Sequence, residues 1–468
     1  MSETFSDNRG DTLAEEQTSS EVVEVTVFSE TDVPELRIGS GTALSLAAKI
    51  VGLGTSFVIG VLVARLFGVQ GKGVLSIVMQ VPGLLIMLLD LGITTSTIYF
   101  VSRGTLRPGT AAANAMVIAA GLGALGAPVV YVLLVGPLAI VHGVPAGAAL
   151  IAMMILPAGL LAAWLGGISN GLSNLVLPLW YSIISSTVTM AGLLLLLLTG
   201  HNSLTGIVAV SAIGTFAGVL VFVIGLREWL RPFRIDLSAG RKTAKFSAKA
   251  YSTSIAGLLH ERQDILLLGW LAGTVAVGLY SVSVSFAELT WYVPSALSAA
   301  ILAKGSRRSE VSAVDYTTRT TRIAVIFMGC TIVLSAAVVP WLLPFVYGRP
   351  FAPAVFAFFA LLPGVLADGV SRILWSYQTT RGRIYWRQAL GTTVLNLVTI
   401  FLLVPTFGAI GAGLASTVSY SVLCILVIRR FCADTGAQAS DVLAPKRSDV
   451  QIIFRTVRRL VFRSEAAN

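Results

Sequence analysis

The residues of this chain that could do chemistry are ionisable side chains placed inside long apolar stretches. A charge at the centre of a bilayer costs roughly 2.5–3.5 kcal/mol on insertion scales, so it is retained where it is paired or functional. Their position predicts a polar path or cavity within a membrane-embedded protein. These side chains are Lys49, Asp90, His260, Glu261, Arg262, Asp264, Glu288, Asp368 and Arg372.

The basic and acidic members of this set indicate different tasks. Cations inside a cavity would attract an anionic group, and buried acids could take up a coupling cation or a proton. The candidate cations are Lys49, Arg262 and Arg372, and the candidate coupling acids are Asp264, Glu288 and Asp368. The remaining candidates for the cavity lining are Asp90, His260 and Glu261.

The alternative interpretation is that these charges pair internally and lock helices together. Asp368 and Arg372 are four residues apart and share a helix face, which makes them the obvious pair. Arg262 and Asp264 point to nearly opposite sides of a straight helix, so both face one cavity only if that helix bends. Asp90 precedes Leu91-Gly92, where an irregular helix would explain it locally.

Enzymatic and metal chemistry find little support in the sequence. It contains no HExxH, no paired-cysteine motif and no phosphate-binding Walker loop. Cys330 and Cys424 lie in apolar stretches and are interpreted, with Cys432, as ordinary residues and not as a metal framework. We therefore expect no enzyme, no metal and no organic cofactor, although the acids could still take up a coupling cation or a proton.

The elements that must position these charges are membrane-spanning helices. The chain is 55% hydrophobic and 12% charged, with a mean hydropathy of +0.83, which predicts an all-α polytopic membrane protein. Twelve spans are predicted, at 41–64, 74–101, 111–136, 145–169, 177–199, 203–226, 248–272, 276–300, 320–347, 352–376, 385–405 and 408–430.

The distribution of basic residues among the loops predicts the orientation. Even-numbered loops hold most of them: Arg103, Arg107, Arg227, Arg231, Arg234, Arg241, Lys242, Lys245, Lys304, Arg307, Arg308, Arg319, Arg381 and Arg383. Odd-numbered loops hold only Arg65, Lys72 and Arg349. By the positive-inside rule, both termini are predicted to be cytoplasmic. We expect the membrane to be the inner (plasma) membrane.

The spans form two halves of six helices. We predict pseudo-symmetric lobes around a central cavity, because Gly73-Val74-Leu75-Ser76 and Gly278-Leu279-Tyr280-Ser281 open equivalent spans. Gly68 and Gly408 each begin the same pattern, Gly-x-x-Gly-x-Gly, at two predicted outer hairpins. The predicted divisions are an acidic disordered tail (1–40), an N-terminal lobe (41–226), a basic linker (227–247), a C-terminal lobe (248–430) and a cytoplasmic tail (431–468).

The two tails have opposite charge. Residues 1–40 contain ten acids and two arginines. In the last segment, Ser448-Asp449 could cap a basic amphipathic helix that lies on an anionic leaflet, although a solvated tail is the alternative. Either tail could recruit cytoplasmic partners, and nucleic acid is not an expected partner.

Four groups of motifs resemble the polysaccharide-biosynthesis transporters, the O-antigen-type oligosaccharide flippases of the multidrug/oligosaccharidyl-lipid/polysaccharide exporter superfamily. The first comprises Ala64-Arg65-Leu66-Phe67-Gly68, Gly71-Lys72-Gly73 and Leu89-Asp90-Leu91-Gly92, and the second Arg262-x-Asp264, Leu267-Leu268-Gly269 and Val277-Gly278-Leu279-Tyr280-Ser281. The third comprises Tyr347-Gly348-x-x-Phe351 and Leu361-Leu362-Pro363-Gly364, and the last Gly382-Arg383, Asn396, Pro405 and Gly408-Ala409-Ile410-Gly411-Ala412-Gly413.

The resemblance implies a flippase that moves an undecaprenyl-diphosphate-linked oligosaccharide to the outer leaflet by alternating access. Lys49, Arg262 and Arg372 would then bind the diphosphate, and H+ or Na+ would be the coupling ion. Either tail could recruit cytoplasmic polysaccharide-synthesis proteins. A multidrug or cation antiporter of the same fold and a non-transporting membrane scaffold remain alternatives. A membrane polymerase or ligase is less favoured, because such enzymes usually need a large outer loop.

Overall fold

The computed structural model describes the backbone of residues 35–231, 233–291, 294–295, 297–298, 301, 310–381, 386–446 and 449. Within these ranges, the side chains of 35–51, of residue 53 and of most of 237–262 lie outside the description, as do a few others. The chain divides into two compact units, Met1–Ala43 and Leu44–Asn468, and the second contains every side chain discussed below. Most of the predicted acidic tail lies outside the described residues.

The described residues form helices and no strand. Two short 3-10 helices, Leu289–Trp291 and Arg349–Phe351, accompany the α-helices. The α-helices are α1 (Glu35–Leu89), α2 (Ile93–Ser102), α3 (Pro108–Leu134), α4 (Ala146–Gly171), α5 (Val176–Leu198), α6 (Leu204–Leu226), α7 (Leu237–Glu288), α8 (Glu310–Tyr347), α9 (Ala354–Thr380), α10 (Trp386–Thr435) and α11 (Ala439–Leu443). This confirms the predicted all-α class.

Three of the long helices are each two helices joined at a glycine. The breaks fall at Gly68 in α1, Gly273 in α7 and Gly408 in α10, with φ angles of 64°, 76° and 54°. Residues with a Cβ rarely adopt positive φ, so glycine lets the chain change direction there without a loop. Nine helices of the described residues are long and apolar enough to cross a membrane, and three of these helices contain two predicted spans each, which confirms the twelve spans.

The second predicted span is not one continuous helix. α1 ends at Leu89 and α2 begins at Ile93, and between them Leu91 and Gly92 have φ angles of 50° and 74°. Sequence alone placed a span across 74–101, because the apolar pattern runs on through the break. The irregularity considered for Asp90-Leu91-Gly92 is therefore present, and it divides the span.

The helices form two lobes whose apolar cores differ at the two ends. We call the half of the molecule around the three kink glycines the hairpin half. One buried cluster lies there and mixes residues from α1, such as Val63 and Ile77, with Leu268, Val277 and Tyr347 of the C-terminal lobe. The shared cluster means that the lobes pack as one body in the hairpin half.

The opposite half contains two separate apolar cores. One belongs to the N-terminal lobe and includes Val101, Ile168 and Phe222. The other belongs to the C-terminal lobe and includes Tyr377 and Phe431. Among the described side chains, the apolar cluster of the hairpin half is shared by both lobes, whereas each cluster of the opposite half is confined to one lobe.

The predicted linker is helical in its second part. Residues from Leu237 onward are the first turns of α7, where sequence analysis had placed a linker through 247. The Ser247 hydroxyl lies 2.7 Å from the Ser96 hydroxyl of α2. Asn114 of α3 donates to the Asp236 carbonyl at 2.9 Å and accepts from the Asp236 amide at 3.1 Å. The linker is thereby docked on the N-terminal lobe.

Candidate functional site

The sequence-predicted site residues fall into two groups. The side chains of Asp90, Asp264, Glu288, Asp368 and Arg372 are described, and those of Lys49, His260, Glu261 and Arg262 lie outside the described residues. Among the described ones, the C-terminal lobe carries every member except Asp90. The geometry below therefore concerns the acids and one of the three candidate cations.

Asp90 belongs to the helix break in the N-terminal lobe. Its Oδ1 accepts from the Thr94 hydroxyl at 2.5 Å, from the Thr94 amide at 3.3 Å and from the indole of buried Trp164 at 2.8 Å. A carboxylate that accepts an amide hydrogen from the first turn of a helix acts as a cap. Asp90 thus stabilises the start of α2 and, through Trp164, connects the start of α2 to α4.

Asp264 is held by groups from both limbs of α7 and lies near α10. It is buried, and its Oδ2 accepts from the Tyr280 hydroxyl at 2.5 Å. Its Oδ1 accepts from the Ile265 amide at 2.8 Å. The Tyr280 hydroxyl also lies 3.3 Å from the Ser416 hydroxyl of α10. The kink at Gly273 folds α7 back on itself, which brings Tyr280 alongside Asp264.

A second polar contact lies next to Asp264. The Gln263 side chain donates to the Asn396 side-chain carbonyl at 3.0 Å, and both residues are buried. Because buried amides are costly without partners, this pair fixes the first limb of α7 against α10. Sequence reasoning did not assign a site role to Gln263 or Tyr280, although a polar residue in an apolar span was the available signal.

A small pocket connects the acids of α7. It is lined by Asp264, Tyr280, Glu288, Trp291 and Tyr420, among others. The pocket has an internal volume of about 20 Å³, which is room for about one water molecule or one ion of similar size. The pocket is therefore too small for a diphosphate or an oligosaccharide.

Asp368 and Arg372 form the ion pair that their spacing predicted. The Arg372 Nε lies 2.6 Å from the Asp368 carboxylate, and the guanidinium stands 4.7 Å from the centre of the Trp291 ring. The Trp291 ring lies 6.4 Å from that of Tyr420, which lines the pocket beside Asp264. Trp291 thus connects the ion pair to the pocket, and the charge of Arg372 is balanced in this arrangement.

The structure brings some of the predicted residues together and separates others. Asp264 and Glu288 line one pocket, and the Asp368–Arg372 pair adjoins it through Trp291. Asp90 stands apart in the other lobe. Within the described ranges, no group of three or more His, Cys, Asp or Glu side chains could hold a metal ion.

The hairpin half contains a close contact between the two lobes that is made by glycines. A Cβ placed on Gly73 would overlap the carbonyl oxygen of Thr274, and one placed on Gly278 would overlap that of Val69. Gly73 follows the kink glycine Gly68 at the spacing at which Gly278 follows its own kink glycine. The contact is therefore reciprocal, as pseudo-two-fold symmetry requires, and we call these four residues the glycine clasp.

Aromatic rings join the lobes near the clasp. The Phe57 ring of α1 lies 5.9 Å from the rings of both Phe286 and Tyr347, with edge-to-face geometry in each pair. Such pairs contribute about 0.5–1.5 kcal/mol each beyond area burial. The rings thus add to the shared core by which the hairpin half is closed.

A buried ion pair binds the C-terminal segment to the part of α8 that lies in the opposite half. Arg322 Nε lies 2.6 Å from the Asp449 carboxylate, Nη2 donates to it at 3.2 Å, and Nη1 donates to the Asp441 carbonyl at 2.7 Å. Hydrogen bonding to Arg322 lowers the pKa of Asp449. The Asp449 carboxylate is thus engaged by Arg322, whereas the helix it was expected to cap lies outside the described residues.

Comparison with known proteins agrees with this architecture. The lipid II flippase MurJ, in an inward closed conformation, superposes with a TM-score of 0.69 at 13% identity, covering 83% of this chain and 87% of that one. A mutant of the Vibrio cholerae MATE transporter VcmN gives 0.60 at 14% identity, covering 86% and 97%. An inward-facing multidrug resistance MATE family transporter of the MOP superfamily gives 0.61 at 14% identity, covering 86% and 99%.

The fold is thus the one shared by these twelve-helix membrane transporters, with two six-helix lobes. Residues 38–302 match the family described as polysaccharide biosynthesis protein. The chain belongs to this family. Among curated proteins, none matches the sequence.

Proposed function

We propose that this protein is a flippase that moves an undecaprenyl-diphosphate-linked oligosaccharide from the cytoplasmic to the outer leaflet by alternating access. The observation that carries the proposal is the packing asymmetry of the lobes. They share one core in the hairpin half and have separate cores in the opposite half. Two lobes packed in this way can rock about the central cavity and open it at one face at a time.

In this proposal, the basic residues of the loops determine which half of the protein faces the cytoplasm. The even-numbered loops lie at the opposite half, so the positive-inside rule makes that half cytoplasmic and the hairpin half external. The described arrangement then corresponds to a state that is closed toward the outside. A substrate made in the cytoplasm would enter between the separately packed ends of the lobes.

Cavity cations would bind the diphosphate. Lys49 and Arg262 are two of the proposed ligands, and Arg372 is the third. Since Arg372 is paired with Asp368 at 2.6 Å, an arriving diphosphate would compete with that carboxylate for the guanidinium. The sugars would occupy the polar cavity while the lipid chain stays in the bilayer.

The acids of the C-terminal lobe would couple transport to an ion gradient. Asp264 and Glu288 line a pocket with room for about one small ion, and Asp368 stands beyond Trp291. Uptake of H+ or Na+ at Asp264 would weaken its hydrogen bond with Tyr280 and so loosen the two limbs of α7. That change links ion uptake to the shape of the lobe.

The proposal is tested by following the lipid-linked sugar in cells that lack the protein and have no second copy. We expect the undecaprenyl-linked oligosaccharide to accumulate on the cytoplasmic leaflet, with loss of surface polymer. Complementation should fail when Lys49, Arg262 and Arg372 are all replaced by alanine and succeed with the exposed control Arg103→Ala. Normal polymer and normal lipid-linked pools in the deletion strain would contradict the proposal.

A multidrug or cation antiporter is the second candidate, favoured by one observation. The described pocket is lined by acids and aromatic rings, which suit a cation. Its small size favours an inorganic ion over a drug-sized one. Na+/H+ exchange by cells that express the chain, with unchanged surface polymer in the deletion strain, would support the antiporter. Absence of this exchange, together with unchanged surface polymer, would favour a non-transporting scaffold.

A further inference from the structure

Arg65 carries one of the few basic charges predicted for the odd-numbered loops, and the proposed transport path does not use it. In the structure this exposed side chain of the N-terminal lobe reaches the other lobe. Its Nε donates to the Val346 carbonyl at 2.8 Å, and its Nη2 donates to the Phe345 carbonyl. One guanidinium therefore binds two successive backbone carbonyls across the lobe boundary.

The two carbonyls belong to the last turn of α8, which ends at Tyr347. The last four carbonyls of a helix have no partner within the helix, and they form the negative end of its dipole. A guanidinium is well suited to this position, because its planar fork presents several donors and remains charged. Arg65 thus acts as a cap on α8 that is supplied by the opposite lobe.

Other contacts hold the same end of α8 against the same helix limb. The Phe57 ring packs on the Tyr347 ring at 5.9 Å. A Cβ on Gly60 would lie 3.7 Å from the Tyr347 hydroxyl, which is ordinary van der Waals distance. Residues 57–65 of α1 therefore contact the end of α8 along about two turns, and the Arg65 contact completes this row.

We propose that Arg65 is a latch that holds α8 to the N-terminal lobe while the hairpin half is closed, and that it must release for this half to open. The inference rests on the proposed function, because alternating access requires that opening. Since the latch is exposed, water can bind both the guanidinium and the carbonyls after release. The latch therefore favours the closed state without making it permanent.

The acceptors of the latch separate it from an ion pair between side chains. They are backbone carbonyls, which carry no net charge and belong to every residue type. Replacing Arg65 therefore removes the latch without leaving an unpaired charge on the other lobe.

The test measures directly how often the hairpin half is closed or open. Spin labels are placed at Gln70→Cys and Val275→Cys, two exposed positions beside the clasp, in a full-length chain whose Cys330, Cys424 and Cys432 are replaced by serine. Electron–electron distance measurements in lipid nanodiscs give the ratio of closed to open molecules. We expect Arg65→Gln to lower this ratio about tenfold, as for loss of a charge-assisted hydrogen bond.

Two further variants keep the result interpretable. Arg65→Lys retains the charge but lacks the fork, so the closed-to-open ratio should fall less than with glutamine. Arg103→Gln is the matched control, because exposed Arg103 stacks over Tyr99 of its own lobe at 4.5 Å and should leave the ratio unchanged. An equal effect of Arg65→Gln and Arg103→Gln would overturn the latch.

The outcome separates the latch from the proposed function. An unchanged distance distribution in Arg65→Gln, in a protein that moves the lipid-linked sugar, would refute the latch alone. A clear shift toward the open distance, in a protein that moves no lipid-linked sugar, would support the latch and refute the flippase.

Discussion

The hairpin half and the opposite half of this molecule are built from different contacts. In the hairpin half, the lobes meet through the glycine clasp, the rings around Phe57 and the carbonyls bound by Arg65. In the opposite half, each lobe has its own core, and the C-terminal one is reinforced by the Arg322–Asp449 pair. The hairpin half is thus held by contacts between the lobes, whereas the described apolar contacts of the opposite half lie within each lobe.

The largest effect is expected at the glycine clasp. Gly73→Ala combined with Gly278→Ala places two methyl groups on backbone carbonyls of the other lobe, and backbone cannot yield as a flexible side chain does. At about 1–3 kcal/mol for each overpacked site, closure should weaken by at least tenfold. Distances between labels at Gln70→Cys and Val275→Cys measure this ratio.

The clasp has a matched control on the same helix limb. Gly83→Ala meets no atom within 4 Å, so its methyl group should leave closure unchanged. Similar shifts in Gly83→Ala and in the double variant would mean that general helix effects, and not the clasp, determine closure. No shift in either would show that the hairpin half does not depend on the glycines.

The second prediction concerns the core of the C-terminal lobe in the opposite half. Asp449→Ala leaves the buried Arg322 guanidinium without its carboxylate and should destabilise this end by about 3–5 kcal/mol. Hydrogen exchange of residues 437–446 should accelerate, while exchange in the hairpin half stays constant. Equal acceleration in both halves would contradict the separation of the cores.

The same ion pair predicts a dependence on pH. The folded-state pKa of Asp449 lies below its unfolded value of about 3.9, because Arg322 favours the carboxylate. The stabilisation is therefore complete above the unfolded pKa and is lost as pH falls through the folded pKa. Exchange of residues 437–446 should rise in that acidic window in the wild type, whereas Asp449→Ala should show no such rise.

A smaller effect is expected from the aromatic contact. Phe57→Ala removes two edge-to-face pairs between the lobes and should weaken closure of the hairpin half by about 1–3 kcal/mol. Phe222→Ala is the control, because Phe222 stacks on Tyr181 within the N-terminal lobe at 5.2 Å. This control should lower the melting temperature without changing the closed-to-open ratio.

The smallest effect is expected where the linker docks. Ser247→Ala removes the 2.7 Å contact with Ser96 and should cost about 0.5–1.5 kcal/mol, the net value of one hydrogen bond. Exchange should increase in the first turns of α7 and remain unchanged in the clasp. A change in the clasp would show that the linker and the hairpin half act as one unit.

Sequence analysis predicted much of the fold and part of the site. The spans follow from apolar length, and the Asp368–Arg372 pair follows from a four-residue spacing on one helix. The Asp264–Tyr280 contact was not predicted, because it depends on the fold-back at Gly273 and on the rotation of both limbs. The irregularity at Leu91-Gly92 was considered from the sequence, but the predicted span 74–101 ran through it, because the apolar pattern continues there.

By itself, the sequence determined the membrane-spanning class, the two lobes and two of the three glycines at which helices turn, Gly68 and Gly408, because these depend on local composition and backbone freedom. Only the tertiary structure decided which surfaces of the lobes meet. Arg65 is bound to carbonyls 280 and 281 positions away, and no local spacing encodes that contact. Contacts between lobes depend on how whole helices pack, and that packing minimises the free energy of the complete chain.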